Sequence, residues 1–216
     1  MMNTLLYFGT FNPIHLGHLQ LANTAQKAGG FQQTLFIPAF SPPNKADVAH
    51  TLYPYTTRAS LLKAALKAWK NPTFQVSTIE QTVAQQQNAP SRLFTADVLE
   101  ALFKQPLKEK NLSFLMGSDT FTSLPLWHQW EELSRIGHFW VAHRPQATEE
   151  HTPVTQLPWV LTHNVTVTPL PMEPLPISAT GIRRAIAQAD WATVAQCVPA
   201  EILPLLRALP VGQVIA

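Results

Sequence analysis

Hydrophobic positions along this chain alternate between short apolar runs and stripes with helical spacing. Leu5-Leu6-Tyr7-Phe8 is a β-prone run that stops at Gly9. After a short polar turn, Leu19, Leu21, Ala22 and Ala25 recur at helical spacing until Gly29-Gly30, the glycine stop expected of a helix C-terminus. Thr34 to Ile37 reads as a second strand. Leu61, Leu62, Ala65, Leu66 and Trp69 then mark one face of a strong helix, capped by Thr56 or Thr57 and stopped at Asn71-Pro72. Phe74 to Thr78 predicts a third strand with Glu80 just beyond it, and the polar segment Gln81 to Pro90 a surface excursion. A helix follows over Phe94 to Lys104, and a fourth strand, Ser113 to Met116, runs straight into Gly117-Ser118-Asp119.

The pattern continues with a Trp-bearing helix over Leu126 to Ile136 and a fifth strand over His138 to His143. A loop leads to a sixth strand at Val165 to Thr168, and a further helix starts within Ile177 to Arg184. Two short helices, near Trp191 to Cys197 and Ala200 to Leu209, close the chain. Strands alternating with helices imply parallel pairing with right-handed crossovers. The expected fold is α/β: a doubly wound, Rossmann-like parallel sheet in one domain over residues 1–216, with C-terminal helices from about residue 178. Such sheets bind ligands beyond the carboxyl ends of their strands, where strand order reverses. The first and fourth strands both end in a glycine turn, so Gly9-Thr10 should face Gly117-Ser118-Asp119 across that crevice.

Composition narrows the partners. Hydrophobic content of 46% beside 13% charged residues fits a soluble globular protein, and no run reaches the ~18 apolar residues of a membrane span. No secretory signal is expected at the N-terminus, so the cytoplasm is the default location. Cys197 is the single cysteine, which excludes intrachain disulfides and a Cys-based zinc site. A net charge of +2 is too small for a dedicated nucleic-acid binder. Nineteen prolines against eight glycines concentrate in rigid connectors such as Pro42-Pro43 and Pro169 to Pro176.

Two stretches carry chemistry. A strand that passes through Gly9 into a helix gathers backbone N–H groups and a helix N-terminus at one point, which suits an anion. His15 and His18, three residues apart at that helix start, share a face. A zinc pair is the alternative, but no carboxylate or cysteine is adjacent. The dinucleotide fingerprint and the P-loop are both absent. In the second stretch, Ser178 at an N-cap, Thr180 in the first turn and Arg183 one turn on would surround one anion with hydroxyls, N–H groups and a guanidinium. An ordinary capped surface helix is its alternative.

Gly9 to His18 resembles the G-T-F-D-P-I-H-x-G-H signature of nucleotidyltransferases that join a nucleotide monophosphate unit to a small phosphorylated substrate, with Asn12 in place of Asp. Ile177 to Arg183 is similar to their I-S-S-T-x-I-R motif, which binds the ATP triphosphate, with Ala179 for the second Ser. Gly117-Ser118-Asp119 followed by Leu124 to Trp130 resembles the G-A-D…L-P-x-W-x-x-W segment of bacterial nicotinate-nucleotide adenylyltransferases. Pro42-Pro43-Asn44-Lys45 resembles their P-P-H-K loop, Ser91 to Leu99 their S-Y-T-x-x-T-L segment, and Arg144-Pro145 the Arg-Pro after the fifth strand.

The resemblance implies transfer of AMP from ATP to nicotinate mononucleotide, releasing pyrophosphate. It makes His15, His18, Lys45 and Arg183 the catalytic phosphate ligands and cations. Gly9, Thr10, Phe11, Gly117, Asp119, Ser178 and Thr180 fall to ATP, and Thr95, Trp127 and Arg144 to the acceptor, with Trp127 stacked on the pyridine ring. Only four Asp occur, and they are dispersed. Mg²⁺ is therefore expected to arrive with ATP, held by phosphates and water, with no protein metal site. ATP and nicotinate mononucleotide are the implied partners, with no nucleic acid or membrane. The rivals are a sibling enzyme using nicotinamide mononucleotide or another phosphorylated acceptor, and a non-catalytic nucleotide-binding module.

Overall fold

In the computed structural model, the run Leu5 to Phe8 is the centre of strand β1 (Asn3–Gly9). Leu5 and Leu6 are both fully buried, in different hydrophobic clusters, because successive strand residues face opposite sides of the sheet. Each contributes on the order of 2 kcal/mol by burial. The structure describes residues 3–41, 53–88, 93–104, 111–134, 136–142, 153–170 and 175–209.

Strands β2 (Gln33–Pro38), β3 (Phe74–Val76), β4 (Asn111–Gly117), β5 (His138–Ala142) and β6 (Thr166–Leu170) complete a six-stranded sheet. Every pairing is parallel and the order is β3-β2-β1-β4-β5-β6. The expected doubly wound α/β fold is thus present, with strand order reversing between β1 and β4. One cluster packs Leu5 and Tyr7 against α1 (Leu16–Gly29) and α2 (Tyr55–Trp69), together with α8 (Ala179–Ala187), α9 (Trp191–Cys197) and α10 (Leu203–Arg207). The other packs Leu6 against α3 (Ile79–Gln86), α4 (Thr95–Lys104), α5 (Ser118–Thr122), α6 (Trp130–Ser134) and α7 (Pro158–Thr162). Gly30 ends α1 in the left-handed conformation, its N–H on the carbonyls of Gln26 and Lys27.

Several expected elements differ. The excursion over Gln81 to Pro90 is largely helix α3, whose apolar stripe is only Ile79, Val83 and Ala84, too brief to stand out in a glutamine-rich segment. The helix expected over Leu126 to Ile136 is interrupted. Leu124–Leu126 is a 3-10 turn holding Pro125, Trp127 is extended, and Gln129 adopts a positive φ before α6 begins. Helix α2 starts at Tyr55 behind Pro54 without a side-chain cap, leaving Thr56 and Thr57 inside its first turn. Helix α7 lies in the expected loop before β6, with Pro158 at its first position, where a missing N–H costs nothing. The last helix splits into a 3-10 turn, Ala200–Ile202, and α10. Among the described residues, no helix is long and apolar enough to cross a membrane.

Two charged residues occupy helix positions that face the interior. Arg58 of α2 is fully buried, and burial pulls its pKa down to about 10. Glu80 of α3 is 6% exposed and accepts the N–H of Phe40 at 2.6 Å. Desolvation pushes its carboxyl up to about 7, although Phe40 and Arg58 both pull the other way. A carboxyl raised in the folded state favours folding most when protonated. That contribution is whole below about 4.5, the ordinary value, and is lost as pH rises through about 7. Its full size is about 3 kcal/mol. Glu80→Gln cannot ionise, so its Tm relative to the parent chain should rise progressively between pH 4.5 and pH 8 in a calorimetric series. A pH-independent difference would show that Glu80 titrates normally.

Candidate functional site

The turn after β1 is shaped by close approach of an aromatic ring to the backbone. Phe11 takes φ 46° and tucks its ring back beneath Gly9, where an added Cβ would lie 2.8 Å from the ring. Glycine at position 9 is therefore required by proximity. The buried Phe11 ring meets Tyr7 at 5.4 Å and His18 at 5.2 Å, both edge-on. It thereby supports one imidazole from behind.

His15 is the N-cap of α1, with extended backbone, and its carbonyl accepts the N–H groups of His18 and Leu19 at 3.0 and 3.3 Å. This geometry brings the two imidazoles into a stack, 3.6 Å between centroids and 27° between planes. Positive charge on both rings would be mutually repulsive at that separation, and an anion beside the pair offsets the repulsion. Gly17 leaves room for the stack, since a Cβ there would lie 3.1 Å from the His15 ring.

Helix α8 reaches the same turn. Ser178 caps it, its hydroxyl accepting the Gly181 N–H at 3.0 Å. Arg183 donates from Nη1 to the Asn12 carbonyl at 2.8 Å and from Nη2 to the Thr180 hydroxyl at 3.2 Å. Burial lowers the Arg183 pKa, with Tyr53 acting in the opposite sense. Asn12 Oδ1 accepts the Tyr53 N–H at 3.0 Å, a role an aspartate oxygen would also fill, so the departure at this position keeps the acceptor and drops the charge.

A cavity of about 580 Å³ opens beyond the carboxyl ends of β1 and β4, walled by Gly9, His15, His18, Gly117, Asp119 and Ser178. It also meets Phe11, Gly17 and the strap Leu175 to Ile177. The crevice expected between the two glycine turns is present. Thr10 and Thr180 do not line it. The Thr10 carbonyl accepts from Arg58 at 2.7 Å, and the Thr180 hydroxyl from Arg183.

Of the acceptor residues, Thr95 and Trp127 do not line this cavity. Thr95 opens α4, as expected, with the Asp97 carboxylate accepting the Phe94 N–H at 3.1 Å. The Phe94 ring packs on His128 at 4.3 Å, which sets the start of α4 beside the Trp127 segment. Trp127 itself is half-buried and packs against the second core cluster. Lys45 and Arg144 lie outside the described residues, as do Pro42-Pro43-Asn44, Ser91 and Pro145. Among the described residues no three His, Cys, Asp or Glu gather as a metal site.

Sequence reasoning missed Arg58 and Tyr53 in this assembly. The signal for Arg58 was available: it falls on the stripe of Leu61, Leu62 and Ala65, where a charge facing the core demands a partner.

Stacked histidines and the N-terminus of α8 thus meet at the switch point of a doubly wound sheet, with the Arg183 guanidinium behind them on the Asn12 carbonyl and outside the cavity lining. The model of the cytidylyltransferase-like family matches residues 6–185. A chain from Solibacter usitatus bearing the name "Probable nicotinate-nucleotide adenylyltransferase" is 32% identical, over 86% of this chain and 88% of its own length. One of the same name from Desulfotalea psychrophila is 34% identical, over 83% and 85%. The solved structure of Plasmodium falciparum nicotinic acid mononucleotide adenylyltransferase complexed with NaAD superposes with a TM-score of 0.73 at 13% identity, covering 96% of this chain and 95% of that one. At that identity the likeness speaks for the fold. The chain belongs to the cytidylyltransferase-like family and, within it, to the nicotinate-nucleotide adenylyltransferases.

Gly17→Ala should move the His15 ring by a few tenths of an ångström and disturb the stack. Imidazole resonances of both His15 and His18 should shift, while Tm should not fall, because Ala favours a helix over Gly by about 1 kcal/mol. Unchanged imidazole spectra would mean the stack does not depend on this glycine.

Proposed function

We propose that residues 1–216 act as one nucleotidyltransferase domain that moves the AMP unit of ATP onto nicotinate mononucleotide. The observation that carries this is the convergence of three elements on one cavity: the His15–His18 stack, the Gly117–Asp119 turn and the N-terminus of α8. Support for the acceptor comes from the named relatives and from the adjacency of Thr95 to the Trp127 segment.

In this reaction an oxygen of the acceptor 5′-phosphate bonds to the α-phosphorus of ATP. The bond from that phosphorus to the bridging oxygen breaks, and its electron pair leaves with pyrophosphate. The nucleophile is already anionic at neutral pH, so no general base is needed. The work is positioning and charge stabilisation. His18, braced by Phe11, meets the α-phosphate, and His15 meets its neighbour. Ser178 meets the triphosphate, with Arg183, steadied by the Thr180 hydroxyl and the Asn12 carbonyl, and Lys45 as cations. Gly9, Phe11, Gly117 and Asp119 bound the nucleotide, while Thr10, expected to do so, faces Arg58 instead. Trp127 stacks on the pyridine ring, N–H groups near Thr95 meet its carboxylate, and Arg144 serves the acceptor. Nucleotidyl transfer from ATP calls for a divalent cation on the phosphates; Mg²⁺ is the ion proposed, held by substrate oxygens and water with no protein cluster.

Two measurements test this. With ATP and Mg²⁺, pyrophosphate release should be faster with nicotinate mononucleotide than with the amide, since an amide NH₂ would face the helix N–H donors. Equal kcat/KM, or an amide preference, would overturn the acceptor assignment. His18→Ala should lower kcat by on the order of 10² to 10³-fold with Tm little changed. Near-normal turnover would remove His18 from the transition state.

A further inference from the structure

Three chain segments meet behind the phosphate cavity, and one side chain holds all of them. Arg58 Nε donates to the Tyr53 carbonyl at 2.9 Å, Nη1 to the Thr10 carbonyl at 2.7 Å and Nη2 to the Ala39 carbonyl at 2.6 Å. These carbonyls belong to the turn after β1, the segment after β2 and the entry to α2, which are remote in sequence. The peptide unit between Ala39 and Phe40 is held at both ends, its carbonyl by Arg58 and its N–H by Glu80 at 2.6 Å. The Ala39 N–H in turn reaches the Gly9 carbonyl at 2.9 Å. Tyr53, one of the three acceptors, passes the restraint on: its N–H binds Asn12 Oδ1, and the Asn12 carbonyl accepts Arg183.

We propose that Arg58 is a positioning residue for nucleotidyl transfer, fixing the Thr10–Asn12 turn so that the stacked histidines and Arg183 meet one phosphate chain in register. This role rests on the adenylyl transfer proposed above. A guanidinium suits the task because its planar fork presents donors in three fixed directions, which the single ammonium of lysine does not. The guanidinium is fully buried, so its donors are committed to these carbonyls. None of the three residues that Arg58 bonds lines the cavity, but Thr10 lies between Gly9 and Phe11, which do. Its effect on the reaction is therefore expected through geometry, and a misplacement of about 1 Å in such a turn is worth up to 10²-fold in rate.

The test compares the parent chain with Arg58→Lys, which keeps the charge and loses the fork. Arg58→Gln is the second variant, giving up the buried charge while keeping an amide donor. Each is assayed well below its own Tm, at a temperature where circular dichroism shows the native spectrum. Pyrophosphate release gives kcat and KM, and calorimetric titration with Mg²⁺-ATP gives a Kd that needs no turnover. The expected result is kcat lowered by about 10- to 100-fold, Kd for Mg²⁺-ATP weakened by a smaller factor, and a native spectrum. A purely structural role would lower Tm and leave both constants within twofold in the folded variant, and that result would overturn the proposal. If the parent chain itself releases no pyrophosphate from ATP and nicotinate mononucleotide, the adenylyl-transfer assignment fails. The clamp is then decided by Kd alone: weaker nucleotide binding in a folded variant sustains it, and equal binding overturns it. Failure of both variants to fold would assign Arg58 to the fold and overturn a distinct positioning role.

Discussion

The parallel pairing of β1 with β4 is the constraint on which the rest of the molecule depends. Strand β1 also pairs with β2, so the chain leaves the sheet in opposite directions on its two sides. Helix α1 packs with one hydrophobic cluster and α5 with the other. Helices on opposite faces leave the carboxyl ends of β1 and β4 between them, and among the described residues a crevice remains there. The N-terminus of α1 and the junction of β4 with α5 at Gly117 both face this opening. Phosphate recognition is thus built from backbone ends that a parallel sheet necessarily presents, with the imidazoles and α8 added to them.

Keeping that crevice in shape falls to buried polar groups. Burying the Arg58 guanidinium costs several kcal/mol of lost hydration, and three charge-assisted bonds to carbonyls offset it. Glu80 contributes from the other face, satisfying an N–H that would otherwise be orphaned after β2. Apolar side chains could fill the same volume but could not specify where three loop segments cross. The aromatic contacts complement this. Phe11 wedges between Tyr7, Phe36 and His18, fixing the imidazole stack to the core and not to the mobile side-chain shell of the surface.

Strand and helix alternation, the two glycine turns and the paired histidines were all legible in the amino-acid order. They are local signals: period, breaker residues and spacing belong to neighbours along the chain. The ends of α1, the start of α4 near Thr95 and the cap at Ser178 followed for the same reason. Local signals failed at α3 and at the Trp127 segment. The short stripe of α3 becomes helical by packing beside α4, and Pro125 with a left-handed Gln129 breaks a pattern that otherwise had helical spacing.

The sequence by itself determined the class of fold and the chemistry gathered in the motifs at either end, because both depend on residue type and spacing. Only the tertiary structure decided that Arg58 holds Thr10, Ala39 and Tyr53 together, that Arg183 rests on the Asn12 carbonyl, and that Thr10 faces the clamp and not the cavity. These are contacts to backbone carbonyls, which every residue carries alike. Nothing in the order of side chains marks which carbonyl a guanidinium will find, so the partners become definite only once the chain has folded.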